Sequence, residues 1–256
     1  MPTEKVHIPS HGKKLAAVIH YPKEQTDRLA ILCPGFLDTK DYPHLVKLAD
    51  ALTAQGYTAI RFDPVGTWES DGDISDYTTT QYLANVKNIL AYMRNRENYT
   101  HVLLGGHSRG GFVAIFYAAQ DPKVSAVLGI MPPYNLLRTK REERDRKWKE
   151  DGFNISKRDV PGGGEKEFRV PYSNMEDAKQ YDVLSEVSKL RVPLILVAGE
   201  KDNLIPPEEV QKIFDNANEP KKMIVMKGIG HDYRRNPEEI ETVNSEIIES
   251  LDELFP

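Results

Sequence analysis

The feature that most constrains this chain is an alternation of short β-rich runs with helical stretches along most of its length. Residues 4–22 read as two strands around a Ser10-His11-Gly12-Lys13 turn, and Leu29–Leu32 as a buried strand that ends at Pro34-Gly35. A helix is predicted over 43–55, where Leu45, Leu48, Ala49 and Leu52 share one face and Gly56 follows as a stop. Tyr57–Phe62 is the next strand, and Leu83, Val86, Leu90 and Met93 mark a helix over 78–95. His101–Leu104, Val124–Ile130, Pro193–Ala198 and Met223–Met226 read as further strands, with helices over 108–120 and 207–217. The last helix opens at Asn236-Pro237-Glu238-Glu239 and carries Ile240, Val243, Ile247 and Leu251 as its apolar stripe. Such alternation implies an α/β fold, a mostly parallel eight-stranded sheet with helices on both faces. A ligand is then expected beyond the carboxyl ends of the strands.

The alternation breaks between Met131 and about Asp182. A charge-dense run from Arg138 to Glu150 is followed by Phe153-Asn154-Ile155-Ser156, by Pro161-Gly162-Gly163-Gly164 and by Glu167-Phe168-Arg169-Val170. The stretch reads as a helix plus hairpins, a small cap (131–182) inserted into a core made of 1–130 and 183–256. Both charge signs recur at helical spacing in the run, which is the mark of a solvated face and not of a nucleic-acid patch. Trp148, Phe153, Phe168, Tyr134 and Tyr172 are candidates either for a pocket wall or for the cap's own small core.

Within this frame Gly106-His107-Ser108-Arg109-Gly110 matches G-x-S-x-G. The pattern alone arises by chance in roughly one chain in fifteen of this size. Here Val102-Leu103-Leu104 precedes it and Phe112–Phe116 follows, the strand–turn–helix setting that thrusts a serine out of a sheet. A serine hydroxyl needs a base within hydrogen-bond reach. Of the seven histidines only His231 follows Ser108, in a loop after the last strand. His107 adjoins the serine and so points elsewhere, as a packing or supporting group. Gly199-Glu200-Lys201-Asp202 ends the preceding strand, and Asp202 is the candidate acid that orients the imidazole, with Glu200 and Asp232 as alternatives. The amides of Phe36 and Arg109 are the expected oxyanion donors.

These motifs, with Cys33-Pro34-Gly35-Phe36 and Arg61-Phe62-Asp63-Pro64-Val65-Gly66, make the chain similar to bacterial α/β-hydrolases that include the cinnamoyl and feruloyl esterases. The resemblance implies the α/β-hydrolase fold, a compact cap, triad roles for Ser108, Asp202 and His231, oxyanion roles for Phe36 and Arg109, and hydrolysis of small carboxylic esters. Two positions depart from that pattern. Pro34 stands where the family usually has histidine before the glycine, and Trp68 replaces a small residue near the pocket. Thioesters and amides are alternative substrates of the same machinery, and ligand binding without turnover is a reading of another class.

Neither a metal nor a cofactor is expected, because no Cys/His/carboxylate set has ligand spacing and the glycine run at 162–164 lacks the lysine of a phosphate loop. A net charge of −5 gives no reason for nucleic acid or an anionic membrane as partner, and no apolar run approaches the roughly 20 residues of a membrane span. The N-terminus lacks a secretory apolar segment, and the lone Cys33 suits a reducing compartment, so the expected setting is cytoplasmic. The expected partner is a small ester substrate. The oligomeric state is open, with a homodimer among the options.

Overall fold

The computed structural model describes residues 1–137 and 142–255, without the side chains of Glu142, Arg144 and Asp145. Eight strands form one sheet: β1 (Thr3–Ser10), β2 (Lys13–His20), β3 (Arg28–Cys33), β4 (Thr58–Phe62), β5 (His101–His107), β6 (Ala126–Ile130), β9 (Leu194–Gly199) and β10 (Lys221–Met226). Their spatial order is β1-β2-β4-β3-β5-β6-β9-β10. The first two pairings, β1 with β2 and β2 with β4, are antiparallel, and every later one is parallel.

Period-two alternation puts successive side chains on opposite faces, and both faces are covered. Leu29, Ile31 and Cys33 of β3 join one apolar cluster with α2 (Thr79–Arg96), α3 (Arg109–Ala118) and α7 (Pro207–Asn216). Ala30 and Leu32 join a second cluster with α1 (Pro43–Ala54) and α8 (Pro237–Leu254). The α8 stripe of Ile240, Val243, Ile247 and Leu251 is buried as its spacing predicts. Burial of each such side chain contributes roughly 1.5–3 kcal/mol. The Asn236 side chain accepts from Glu238 N–H at 3.0 Å and caps that helix.

Several boundaries move for local reasons. The helix expected from 108 starts at Arg109, because Ser108 has φ of 52° and cannot be helical. The last strand begins at Lys221 and not at Met223, since Lys221 and Lys222 pair with Leu194 and Ile195 through backbone alone on an edge strand. The strand expected from Val124 begins at Ala126, because Val124 N–H closes a turn onto Asp121 O.

Between β6 and β9 the chain leaves the sheet. It forms α4 (Glu142–Asp151), an antiparallel pair β7 (Phe153–Asp159) and β8 (Glu165–Pro171), α5 (Ser173–Ala178) and α6 (Val183–Val187). Residues 138–141 of the charge-dense run lie outside the described residues. Gly162, Gly163 and Gly164 all have positive φ, so the glycine run is the β7–β8 turn. Asp177 of α5 accepts from Thr79 N–H at 2.6 Å and Thr80 N–H at 3.1 Å, placing a carboxylate on the positive end of α2. Tyr42 Oη donates to Asp159 O at 2.9 Å, and these two contacts pin the segment to the core.

Candidate active site

The turn from β5 into α3 explains why the serine is flanked by glycines. A Cβ on Gly110 would lie 2.1 Å from Cys33 O, and one on Gly106 would lie 2.4 Å from Gly110 C. Strand β3 therefore presses against the turn where any side chain would collide. Ser108, at φ 52° and ψ −120°, is held in a sparsely populated conformation, and its N–H donates to Ile130 O at 2.8 Å. The hydroxyl projects from the carboxyl edge of the sheet instead of joining the helix.

Two other loops converge on it. After β9, Asp202 is buried, and its Oδ1 accepts from Leu204 N–H at 2.8 Å and Ile205 N–H at 2.7 Å. Its Oδ2 lies 2.6 Å from His231 Nδ1, and His231 Nε2 lies 3.0 Å from Ser108 Oγ. The two loops are stitched together by Lys201 N–H to Ile229 O at 2.8 Å and by Gly228 N–H to Glu200 Oε2 at 2.8 Å. Glu200 thus braces the histidine loop, while Asp232 pairs with Arg234 and Arg235, both at 2.7 Å.

Phe36 sits in the loop after β3, and Arg109 occupies the first position of α3. Neither amide donates to another described residue. The Phe36 loop is held at each turn: Tyr82 Oη donates to Pro34 O at 2.8 Å, Leu37 N–H to Tyr77 Oη at 3.1 Å, and Trp68 Nε1 to Leu37 O at 2.9 Å. Arg158 of β7 adds donors to Phe36 O at 2.9 and 3.3 Å. The two departures in sequence are thereby accounted for. The Pro34 carbonyl is anchored by a tyrosine, and Trp68, edge to face with Tyr42 and Phe168, supports the loop.

Ser108 and His231 open into a cavity of about 580 Å³ walled also by Phe36, Arg109, Trp148 and Met175. Of the five cap aromatics, Trp148 lines this cavity, with Nε1 donating to Val170 O at 3.0 Å. Phe168 is buried in the core, Tyr134 and Tyr172 pack against it, and Phe153 carries the Arg169 guanidinium 3.5 Å from its ring centroid.

Behind the histidine lies a cluster that sequence spacing does not reveal. His107 Nε2 donates to His231 O at 3.2 Å, and its ring lies 4.8 Å from that of His231. His107 Nδ1 faces Asp38 Oδ2 at 3.7 Å, and His44 meets His107 edge to face at 5.1 Å. Burial alone would raise the Asp38 carboxyl, but His107, His44 and Arg158 hold it at about 2. Burial, with His107 adding to it, pushes His44 down to about 3, and neither of its ring nitrogens has a hydrogen-bond partner. Asp38, His44 and His107 bring three donor atoms within 4.8 Å of one another, the kind of group that can hold a metal ion. The three were not legible as a set because they come from the β3–α1 loop, α1 and the end of β5.

A family profile described as alpha/beta hydrolase fold matches residues 30–153. Among curated proteins, the chain is 24% identical over 227 residues to the mouse (Mus musculus) mitochondrial palmitoyl-protein thioesterase ABHD10, covering 88% of this chain and 75% of that one. Among solved structures, Est1E from Butyrivibrio proteoclasticus with ferulic acid bound superposes with a TM-score of 0.77 at 23% identity, covering 97% of this chain and 98% of that one. The α/β hydrolase GrgF from Penicillium sp. sh18 gives 0.82 at 21% identity, over 99% of each chain. The chain therefore has the α/β-hydrolase fold, and it is similar to esterases and thioesterases of that fold. No helix among the described residues is long and apolar enough to cross a membrane.

Proposed function

We propose that the protein is a serine esterase that cleaves small carboxylic esters through an acyl-enzyme. The observation that carries this reading is the continuous chain Asp202–His231–Ser108, with links of 2.6 and 3.0 Å, opening into the cavity. Asp202 accepts a hydrogen bond from His231 Nδ1–H, which fixes the tautomer and leaves Nε2 as the base. Ser108 Oγ attacks the ester carbonyl carbon while Nε2 takes its proton, and the carbonyl oxygen becomes an oxyanion facing the amides of Phe36 and Arg109. Collapse expels the alcohol, which receives the proton from His231. Water then repeats the sequence on the acyl-serine, giving the acid and free Ser108.

Ferulic acid bound to Est1E favours an aromatic acyl group, and the name of the mouse relative favours a thioester as the second reading. A cytoplasmic setting accords with the one cysteine, Cys33, which is fully buried. The test is hydrolysis of a chain-length series of p-nitrophenyl esters, methyl ferulate and acyl thioesters, with fluorophosphonate labelling alongside. Turnover and labelling by the wild type, both lost in Ser108→Ala, are the expected result. Labelling without ester turnover moves the assignment to thioesters or amides. Failure to label overturns the enzymatic reading in favour of a ligand-binding protein.

A further inference from the structure

The amide of Arg109 is the proposed donor to the reacting oxygen, and the residue as a whole lines the cavity. That side chain is only 4% exposed, and its guanidinium lies 4.7 Å from the Tyr77 ring centroid and 5.4 Å from that of Phe36. Its hydrogen-bond acceptors are neutral: Thr79 Oγ1 at 2.9 Å and Asn174 Oδ1 at 3.3 Å. The Nε–H is buried without a partner, and no carboxylate among the described residues pairs with the group.

The other cations around the cavity are matched. Arg158 faces Asp38 at 3.9 Å, Lys157 faces Glu165 at 3.8 Å, and Arg234 and Arg235 share Asp159 at 3.3 and 2.9 Å. The carboxylate that α5 carries nearby, Asp177, is engaged by the α2 amides. A guanidinium that is buried, rimmed by aromatic rings and left without a counter-ion is a binding element for a planar anion.

Its position relative to the reacting atoms selects which part of a substrate it meets. His231 protonates the leaving alcohol, so the leaving group must lie towards His231, whose loop follows β10 on one side of β5. The partners of Arg109 lie on the other side: Phe36 follows β3, Tyr77 and Thr79 stand at the entry to α2, and Asn174 is on α5. An acyl group directed away from the leaving group would run towards the guanidinium.

Resting on the esterase reading above, we propose that Arg109 selects acyl groups that end in a carboxylate, so that the preferred substrates are half-esters of dicarboxylic acids. The experiment holds the leaving group constant. It compares kcat/KM for p-nitrophenyl hexanoate, p-nitrophenyl hemiglutarate and hemiadipate, and the methyl-capped diesters that match the half-esters in length but carry no charge. The wild type is expected to favour the half-esters over their capped counterparts by about tenfold or more, the scale of one charge-assisted contact. Arg109→Met should lose that ratio, and Arg109→Lys should restore part of it. A wild-type ratio at or below one overturns the proposal without need of any variant. A ratio that survives in Arg109→Met, with all esters slowed alike, also overturns it and leaves the guanidinium as a tie between α5 and α2. If neutral esters are hydrolysed and the probe labels Ser108, such a failure belongs to this inference alone. If nothing turns over or labels, the esterase reading falls and this one with it.

Discussion

His44 should make the protein acid-labile well above the range in which carboxylates titrate. It sits on α1, 1% exposed, with both ring nitrogens unpartnered and with the His107 and Tyr233 rings against it edge to face. Burial, reinforced by His107, Arg234 and His231 and opposed by Asp38, places its folded value at about 3 against an ordinary 6.5. The unfolded chain therefore takes the proton first, and stability is lost as pH falls from the unfolded value towards the folded one. At about 1.4 kcal/mol per pH unit inside that window, the loss between about pH 7.5 and pH 4.5 comes to roughly 2–3 kcal/mol from this one ring. His44→Leu removes the titration and replaces an unpartnered polar group with an apolar one of similar bulk, a change of small cost near neutrality. Urea unfolding, followed by tryptophan fluorescence at fixed ionic strength across that range, gives the stability of each protein. The two proteins differ only at position 44, so the pH dependence of the difference between them reports the titration that His44 introduces. The wild type should lose roughly 2–3 kcal/mol more than the variant over the range. A gap that does not change with pH would refute the reasoning and mean that the ring is hydrated or paired.

Two further substitutions test the frame of the site. Arg158→Met removes both donors to Phe36 O and should lower kcat about tenfold with a smaller change in KM, less than the 10²–10³ typical of deleting an oxyanion donor outright; an unchanged kcat would show that Trp68 and Tyr77 hold the loop by themselves. Gly110→Ala would put a methyl 2.1 Å from Cys33 O, and should lower stability by at least about 3 kcal/mol, read as a fall in melting temperature; a melting point near that of the wild type would mean that β3 can withdraw from the turn.

Much of this arrangement was legible in the sequence because it is enforced by local rules. The parallel sheet follows from strand–helix alternation, and the serine turn is visible because backbone contact with Cys33 leaves only glycine at 106 and 110. His231 could be chosen since no other histidine follows the serine. The supporting contacts were not legible, because each joins residues far apart in the chain through one side chain. Arg158 reaches Phe36 across 122 positions, and His107 reaches His231 across 124. Nothing in the local pattern distinguishes Arg158 from the solvated charges on either side of it. The role of Trp68 was hidden for a similar reason: bulk reads in sequence as an obstruction, whereas here the indole N–H serves as a clasp on Leu37.

The way the β6–β9 segment is attached bears on how such a protein can diversify. Besides the apolar packing of Phe168, Val170 and Met175 on the core, it is held by discrete polar contacts, among them Asp177 on the start of α2, Tyr42 on Asp159 and Arg158 on Phe36. Ser108, Asp202 and His231, the proposed triad, all follow strands that lie outside that segment. A lineage could therefore exchange the segment for another of different length and lining while inheriting the reaction unchanged. One handhold is not interchangeable on the proposed mechanism, because Arg158 holds the carbonyl of Phe36, the proposed oxyanion donor. Any replacement has to bring a donor to that place, and the freedom to alter substrate ends there.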